Sequence, residues 1–114
     1  MSLPLRPAVV AGEWVAISGQ VGVANGVLVE GGISAETRQG LANLVAVLEA
    51  NGLTPADVVK TNTFVTDFDE FQKCADVRMR YLGVATPTST TVGVTRLAGP
   101  DFMVEIEAVA VVNG

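Results

Sequence analysis

Short apolar runs separated by glycine-containing breaks fill the first third of the chain. Ala8–Val10 and Trp14–Ser18 are runs typical of β-strands, and Ala11-Gly12-Glu13 between them suits an antiparallel hairpin. Further breaks precede Val27–Val29, which predicts a short third strand ending at Gly31-Gly32. We therefore expect this part of the chain to form a β-meander.

The apolar positions then take the period of an α-helix. Four of them are spaced at i, i+3, i+4 and i+7: Leu41, Leu44, Val45 and Leu48. Ser34 is a suitable N-cap for this helix, and Asn51-Gly52 is a suitable end. Asp67, followed three residues later by Glu70, resembles a capping box, and it predicts a second helix that ends at Gly83.

Three further runs have β character: Val58–Thr66, Ser89–Val94 and Met103–Val112. Alternation in the first of them places Val59 on the same face as Thr61, Thr63 and Val65. The element order βββαβαββ predicts an α/β (α+β) two-layer sandwich, in which a mixed six-stranded sheet carries two helices on one face. A chain of 114 residues forms one such domain over residues 1–114.

The last predicted strand is apolar on both of its faces. One face carries Val104, Ile106, Ala108, Ala110 and Val112, and the other carries Met103, Glu105, Glu107, Val109 and Val111. If both helices cover the first face, Val109 and Val111 remain open to water, which predicts a homo-oligomer formed through the uncovered face. Glu105 and Glu107 would then lie beside an interface, where burial raises the pKa of a carboxyl toward values useful for proton transfer. The alternative is that the two glutamates lie on a half-solvated sheet face and have no chemical role.

Charge and composition exclude several classes of function. Seven Lys and Arg against 12 Asp and Glu give a net charge of -5, which argues against nucleic acid as a partner. The sequence has no histidine and one cysteine, so it lacks the ligands of the usual zinc and copper sites and the residues of Ser-His and Cys-His mechanisms. No apolar run is long enough for a membrane span or a signal peptide, so we expect no membrane partner and a cytoplasmic protein.

The remaining reactive side chains have structural explanations. Cys74 falls at a core position of the second helix, which favours a packed thiol over a nucleophile. Lys60 is interpreted as a surface lysine rather than a Schiff-base amine. Lys73, Arg78 and Arg80 on one helix are interpreted as a solvated charged face.

Several segments together resemble the RidA family, also called YjgF or L-PSP. They are Ser18-Gly19-Gln20, Thr37-Arg38-Gln39, Val58-Val59-Lys60-Thr61, Pro87 with Thr91-Val92, and Val104-Glu105-Ile106-Glu107-Ala108. The resemblance extends from about Ala8 to Val112. It implies a YjgF-like (chorismate-mutase-like) fold, a homotrimer with ligand clefts between subunits, and hydrolysis of enamines and imines such as 2-aminoacrylate to a 2-keto acid and ammonia. It also implies that neither a metal nor another cofactor is used.

The resemblance assigns roles to individual residues. Glu105 matches the family glutamate that assists water and proton transfer, and Ser18 with Gly19 matches a segment that lines the cleft. Ser89 stands where the family has the arginine that grips the substrate carboxylate. Thr91 lies two residues further along the same run.

Two further positions differ from the family pattern: Leu5 replaces a tyrosine, and Ala75 replaces an asparagine. We therefore expect an imine deaminase-type hydrolase of altered or weakened specificity, in which Glu105 is catalytic. Ser18, Gly19, Ser89 and Thr91 are expected to contact the substrate, and Arg6 and Arg96 are candidates to replace the missing arginine. The alternative is a trimeric protein that binds a small metabolite without turning it over. The net charge and the missing histidine disfavour a ribonuclease.

Overall fold

A computed structural model of the chain describes residues 5–112. The strands are β1 (Ala8–Ala11), β2 (Trp14–Val21), β3 (Val23–Ala24), β4 (Val27–Leu28), β5 (Val58–Val65), β6 (Thr88–Gly93) and β7 (Val104–Val111). The helices are α1 (Gly32–Ala50), α2 (Phe68–Gln72) and α3 (Ala75–Leu82), with a 3-10 turn at Pro55–Asp57 before β5. The mixed α+β class predicted from the pattern is confirmed by this arrangement.

The main sheet has five strands in the order β1-β2-β7-β5-β6. β6 pairs in parallel with β5, and the other neighbours pair antiparallel. β7 is the central strand of the five, and β6 is an edge strand beside β5.

The expected six-stranded sheet is wrong, because Val27–Val29 does not join the main sheet. β3 and β4 form a separate two-stranded ribbon. Asn25 and Gly26 between them have φ angles of 55° and 80°, which is the left-handed conformation that closes two-residue hairpins. This turn pairs Val27 with Ala24 directly, so the short strand finds its partner within the ribbon.

Helix α1 begins two residues before the predicted cap at Ser34. Its N-cap is Gly31, which provides no side-chain hydrogen bond, so the prediction for Ser34 is wrong. Gly31 has a φ of 117°, a conformation that a side chain would disfavour, and this backbone turn starts the helix without a polar cap. The predicted end at Asn51 is confirmed.

The second predicted helix is two helices. Asp67 caps α2 as expected, because its carboxylate accepts the N–H of Glu70. The helix tightens at Lys73 and Cys74, whose N–H groups bond three residues back rather than four. Three residues spaced by three positions are buried on this stretch: Phe71, Cys74 and Val77. This spacing of three fits the tighter 3-10 turn that separates α2 from α3.

The core lies between the helices and one face of the sheet. Leu41, Leu44 and Leu48 of α1 are fully buried against alternate residues of the central strands. In β5 the pairing register shifts between Val58 and Lys60, which leaves Val59 exposed. The prediction that Val59 shares the buried face of Thr61 and Thr63 is therefore wrong, because a bulge interrupts the alternation.

No helix covers the opposite face of the sheet in the described part of the chain. We call this the open face; its central residues alternate with the buried ones on β2, β5 and β7. Trp14 and Val92 are 55% and 41% exposed there, and Val109 and Val111 are half-buried. Among residues 5–112, no helix has the length and apolarity needed to cross a lipid bilayer.

Candidate functional site

Glu105 lies on the open face, directly over the backbone of Gly19. Its strand position pairs with Val21 of β2 and Phe64 of β5. The pairing of β2 with β7 shifts between Ile17 and Gln20, and this bulge brings Gly19 under the carboxyl group. A Cβ atom on Gly19 would lie only 2.6 Å from Cδ of Glu105, so glycine is the residue that leaves room for the side chain.

The environment of Glu105 makes its carboxyl a weaker acid than an ordinary glutamate. Partial burial raises its pKa above the ordinary value, and the nearby charge of Glu107 raises it further. No hydrogen bond holds the Glu105 carboxyl within residues 5–112, whereas Glu107 accepts a bond of 3.0 Å from Nδ2 of Asn62. The Glu107 carboxylate is thus held by Asn62, whereas the Glu105 carboxyl can bind a water molecule or a ligand.

Ser18 precedes Gly19 at the bulge of β2, and its hydroxyl is engaged. Its Oγ donates to the carbonyl oxygen of Arg6 at 2.6 Å, and its backbone N–H donates to the carbonyl of Pro7. The hydroxyl oxygen can still accept a hydrogen bond from a ligand. Gly19 thus lies against Glu105, and the Ser18 hydroxyl anchors the N-terminal segment to the bulge.

Ser89 and Thr91 lie on the other side of the sheet. In the parallel pair of β5 and β6 they are opposite Thr61 and Thr63, whose side chains are buried under the helices. The structure therefore divides the predicted site residues into two groups on opposite faces of one chain. Sequence alternation could not show this, because it does not give the register of β6 against β5.

Ser89 opens into a cavity of about 360 Å³ between α3 and the sheet, which we call the helix-side cavity. Its lining is mainly apolar, with hydroxyl groups from the strands. It is formed by Leu41, Thr61, Thr63, Ala75, Arg78, Met79, Leu82, Gly83, Thr86, Pro87, Ser89 and Ile106. Ala75 and Ser89, two positions at which we expect the chain to differ from the RidA pattern, thus share one cavity.

Arg78 is the functional candidate that the sequence analysis missed. It was predicted to lie on a solvated face, and the structure corrects this, because Arg78 is half-buried and lines the helix-side cavity. Its Cζ lies 4.5 Å from the centre of the Phe71 ring. The spacing of seven residues from Phe71 was the available signal, since positions i and i+7 share a helix face.

The other basic residues near these elements point elsewhere. The Arg96 guanidinium donates to the carbonyls of Leu97 and Ala98, in its own loop, at 3.1 and 3.2 Å. Lys73 pairs with Glu70 at 2.8 Å on the exposed side of the helix. Neither Arg6 nor Arg96 lines the helix-side cavity, so the structure does not favour either as the cation beside Ser89.

The remaining interpretations of reactive side chains agree with the structure. Cys74 is buried, as expected for a packed thiol. Lys60 is exposed on the open face.

Comparison with known proteins identifies the family. The sequence profile described as "Endoribonuclease L-PSP" matches residues 2–112. The chain belongs to this family. It is the family also called RidA or YjgF, so the resemblance predicted from the motifs is confirmed.

Three relatives show how close the family relationship is. A 2-iminobutanoate/2-iminopropanoate deaminase of Dermatophagoides farinae is 38% identical over 112 residues, which cover 96% of this chain and 87% of the relative. The crystal structure of RidA from an Antarctic Psychrobacter has a TM-score of 0.88 at 31% identity, covering 98% of this chain and 91% of that one. Escherichia coli TdcF with bound serine has a TM-score of 0.88 at 30% identity, with coverage of 99% and 91%.

Proposed function

We propose that this L-PSP family protein hydrolyses enamines and imines of small 2-keto acids, with a specificity altered by Ser89. The observation that carries the proposal is the Glu105 carboxyl, which has a raised pKa and rests on Gly19 without a hydrogen-bond partner in the described residues. A carboxyl with a raised pKa is a stronger base when ionised than an ordinary glutamate, which suits it to take a proton from water. The deaminase relative at 38% identity and the serine bound to TdcF support a small amino acid-like ligand.

The proposed reaction needs a base that later acts as an acid. Glu105 accepts a proton from water while the water oxygen bonds to the carbon of the protonated imine and forms a neutral carbinolamine. The carboxyl then returns this proton to the amine nitrogen. As the C–N bond breaks, the carbinolamine hydroxyl gives its proton to the Glu105 carboxylate, which releases it to solvent, and the products are a 2-keto acid and ammonia. An enamine first takes a proton on carbon to become the imine, and the sequence of steps involves no change of oxidation state.

A complete site requires a second copy of the chain. Glu105 and Gly19 are on the open face, whereas Ser89 and Thr91 are on the helix side, so one chain cannot present both groups to one small ligand. The apolar open face, with Trp14 and Val92 exposed, supports association of copies through that face. We infer a homotrimer in which Glu105 of one subunit meets the helix-side cavity of the next.

The test is release of ammonia from 2-iminobutanoate and 2-iminopropanoate generated in the assay. The wild-type chain should accelerate release, and Glu105→Gln should remove most of the acceleration while the protein stays folded. Glu49→Gln, which removes an exposed carboxylate from α1, is the matched control and should keep full activity.

Two outcomes would redirect the proposal. If the wild-type chain releases no ammonia from either imine, and Glu105→Gln gives the same result, the alternative is favoured, namely a protein that binds a small ligand without turning it over. Degradation of single-stranded RNA that is lost in a site variant would favour a ribonuclease. We expect no degradation of RNA, because a net charge of -5 repels the phosphate backbone.

A further inference from the structure

The Arg78 guanidinium is held in an unusual position for a surface helix residue. It stacks over the buried ring of Phe71 at 4.5 Å, which restricts the side chain and covers one face of the guanidinium plane. Its Nε atom is buried, and it is the one buried side-chain nitrogen or oxygen without a hydrogen-bond partner among residues 5–112. A buried donor of this kind is unfavourable unless an acceptor reaches it.

No acceptor in the described chain fills this role. Arg78 forms no ion pair within residues 5–112, where the one salt bridge joins Lys73 to Glu70. Stacking on Phe71 uses the face of the guanidinium plane, and its two Nη atoms make no hydrogen bond within residues 5–112. The N–H groups of a guanidinium lie in its plane in the fork geometry that binds a carboxylate through two parallel hydrogen bonds.

The walls of the helix-side cavity indicate what else the ligand carries. Leu41, Leu82 and Ile106 provide apolar surface, while Thr63 and Ser89 provide hydroxyl groups that make no hydrogen bond elsewhere in the described chain. A volume of about 360 Å³ holds a small molecule. Arg78 is the one cation in the lining, so a singly charged carboxylate matches the cavity better than a phosphate with two charges.

We propose that Arg78 binds the carboxylate of a small aliphatic 2-imino acid, and so supplies the guanidinium that Ser89 does not. The proposal rests on the proposed imine hydrolysis for the chemical class of the substrate. Arg78 and Ser89 line the same cavity from opposite sides, on α3 and β6. The Arg78 guanidinium, on α3, can therefore occupy the space that an arginine at position 89, on β6, would enter.

The direct test measures binding of 2-oxobutanoate by isothermal titration calorimetry. The wild-type protein should bind it, and Arg78→Gln should weaken binding roughly 100-fold, because one charged bidentate contact is lost. Arg80→Gln, which removes an exposed cation from the same helix outside the cavity, should leave the Kd unchanged. The methyl ester of 2-oxobutanoate should bind the wild-type and Arg78→Gln proteins equally weakly.

A second variant distinguishes the loss of the guanidinium from a folding defect in Arg78→Gln. The double variant Arg78→Gln with Ser89→Arg returns a guanidinium to the cavity from the opposite wall, and it should recover most of the lost affinity. Equal affinity of the wild-type and Arg78→Gln proteins for 2-oxobutanoate would overturn the proposal, as would a wild-type protein that does not bind the carboxylate at all.

The two proposals fail in distinguishable ways. Arg78-dependent binding of 2-oxobutanoate without turnover of any imine would leave the role of Arg78 intact and refute the hydrolase. Turnover that depends on Glu105 but has the same KM in Arg78→Gln would leave the hydrolase intact and refute the role of Arg78.

Discussion

At the scale of single residues, Glu105 combines two features that a purely structural glutamate does not need. Its pKa is raised by burial, and its carboxyl group has no partner in the described chain. A raised pKa in the folded state means that ionisation of Glu105 opposes folding. Stability is therefore lost as the pH rises from the ordinary glutamate value through the folded-state pKa, and the loss is complete above that range.

This linkage predicts a pH-dependent gain in stability for Glu105→Gln. At pH 7 the variant should unfold at a higher temperature than the wild type, because the penalty for ionisation is absent. Near pH 4, where Glu105 is protonated in the wild type, the difference should shrink. The difference in unfolding temperature is measured by circular dichroism during thermal unfolding at each pH. A variant that is less stable than the wild type at pH 7, or a difference independent of pH, would contradict the assignment.

Gly19 provides a second prediction at this scale. Gly19→Ala places a Cβ atom 2.6 Å from Cδ of Glu105, so the carboxyl group must move. A displacement of about 1 Å lowers turnover by roughly 100-fold when a group acts directly on the substrate. Gly93→Ala is the matched control, because a Cβ there meets only the carbonyl oxygen of Val65 at 3.9 Å. Equal rates of imine hydrolysis by Gly19→Ala and Gly93→Ala would show that Gly19 is not part of the site.

The sequence predicted part of the candidate site and did not single out the rest. Alternation and family motifs predicted Glu105, Ser18 and Gly19, because strand β7 is regular and the Ser18-Gly19 motif is local; these roles stay predictions. Arg78 was assigned to a solvated face together with Lys73 and Arg80, although a continuous helix would place it on the same face as Phe71. The cavity beside Arg78 and its unpartnered, buried Nε are tertiary features that the helical period does not give.

At the scale of elements, the contact between α1 and β2 depends on glycines at the crossing. Gly22, just after β2, touches the backbone of Glu36, where an added Cβ would lie 2.6 Å from Cα. Glu36 was not singled out from the sequence, although it is buried and accepts the Met103 N–H at 2.8 Å. Burial raises the pKa of Glu36, and this backbone hydrogen bond lowers it by a smaller amount.

Two alanine substitutions at this crossing should have opposite effects. Gly22→Ala should destabilise the fold by about 1 to 3 kcal/mol, because backbone and not a flexible side chain blocks the new Cβ. Gly40→Ala, inside α1, meets nothing closer than 3.5 Å and should stabilise the fold by about 0.5 to 1 kcal/mol. Urea unfolding gives both free energies. A stabilising Gly22→Ala would show that the helix can shift away from the strand.

Elements with a long regular pattern were predicted well, and short or irregular ones were not. α1 and β7 repeat their apolar period often enough to fix type and face. The β3–β4 ribbon consists of two strands of two residues each, so the turn at Asn25-Gly26 decides its pairing. The bulge between Val58 and Lys60 in β5 is likewise a tertiary feature that alternation cannot reveal.

At the scale of the whole molecule, the open face predicts self-association. Trp14→Glu places a charge on that face at a position that is 55% exposed in the single chain, so the fold of the domain should persist. The variant should sediment as a monomer at micromolar concentration, whereas the wild type should sediment as a trimer. Val84→Glu, at a position 74% exposed in the loop after α3, is the control and should remain associated. A monomeric wild-type chain would refute the interface.

The division of the candidate site residues between two faces predicts an active site that is built between subunits. The most direct test mixes two inactive variants: Glu105→Gln, which lacks the proposed acid-base group, and Ser89→Trp, which fills the helix-side cavity. If neighbouring subunits share each site, denaturing and reassembling an equal mixture should restore about one quarter of the wild-type rate of imine hydrolysis, since random pairing makes that share of sites intact. A reassembled mixture that stays as inactive as its components, beside a wild-type sample that recovers, would contradict a site built between subunits.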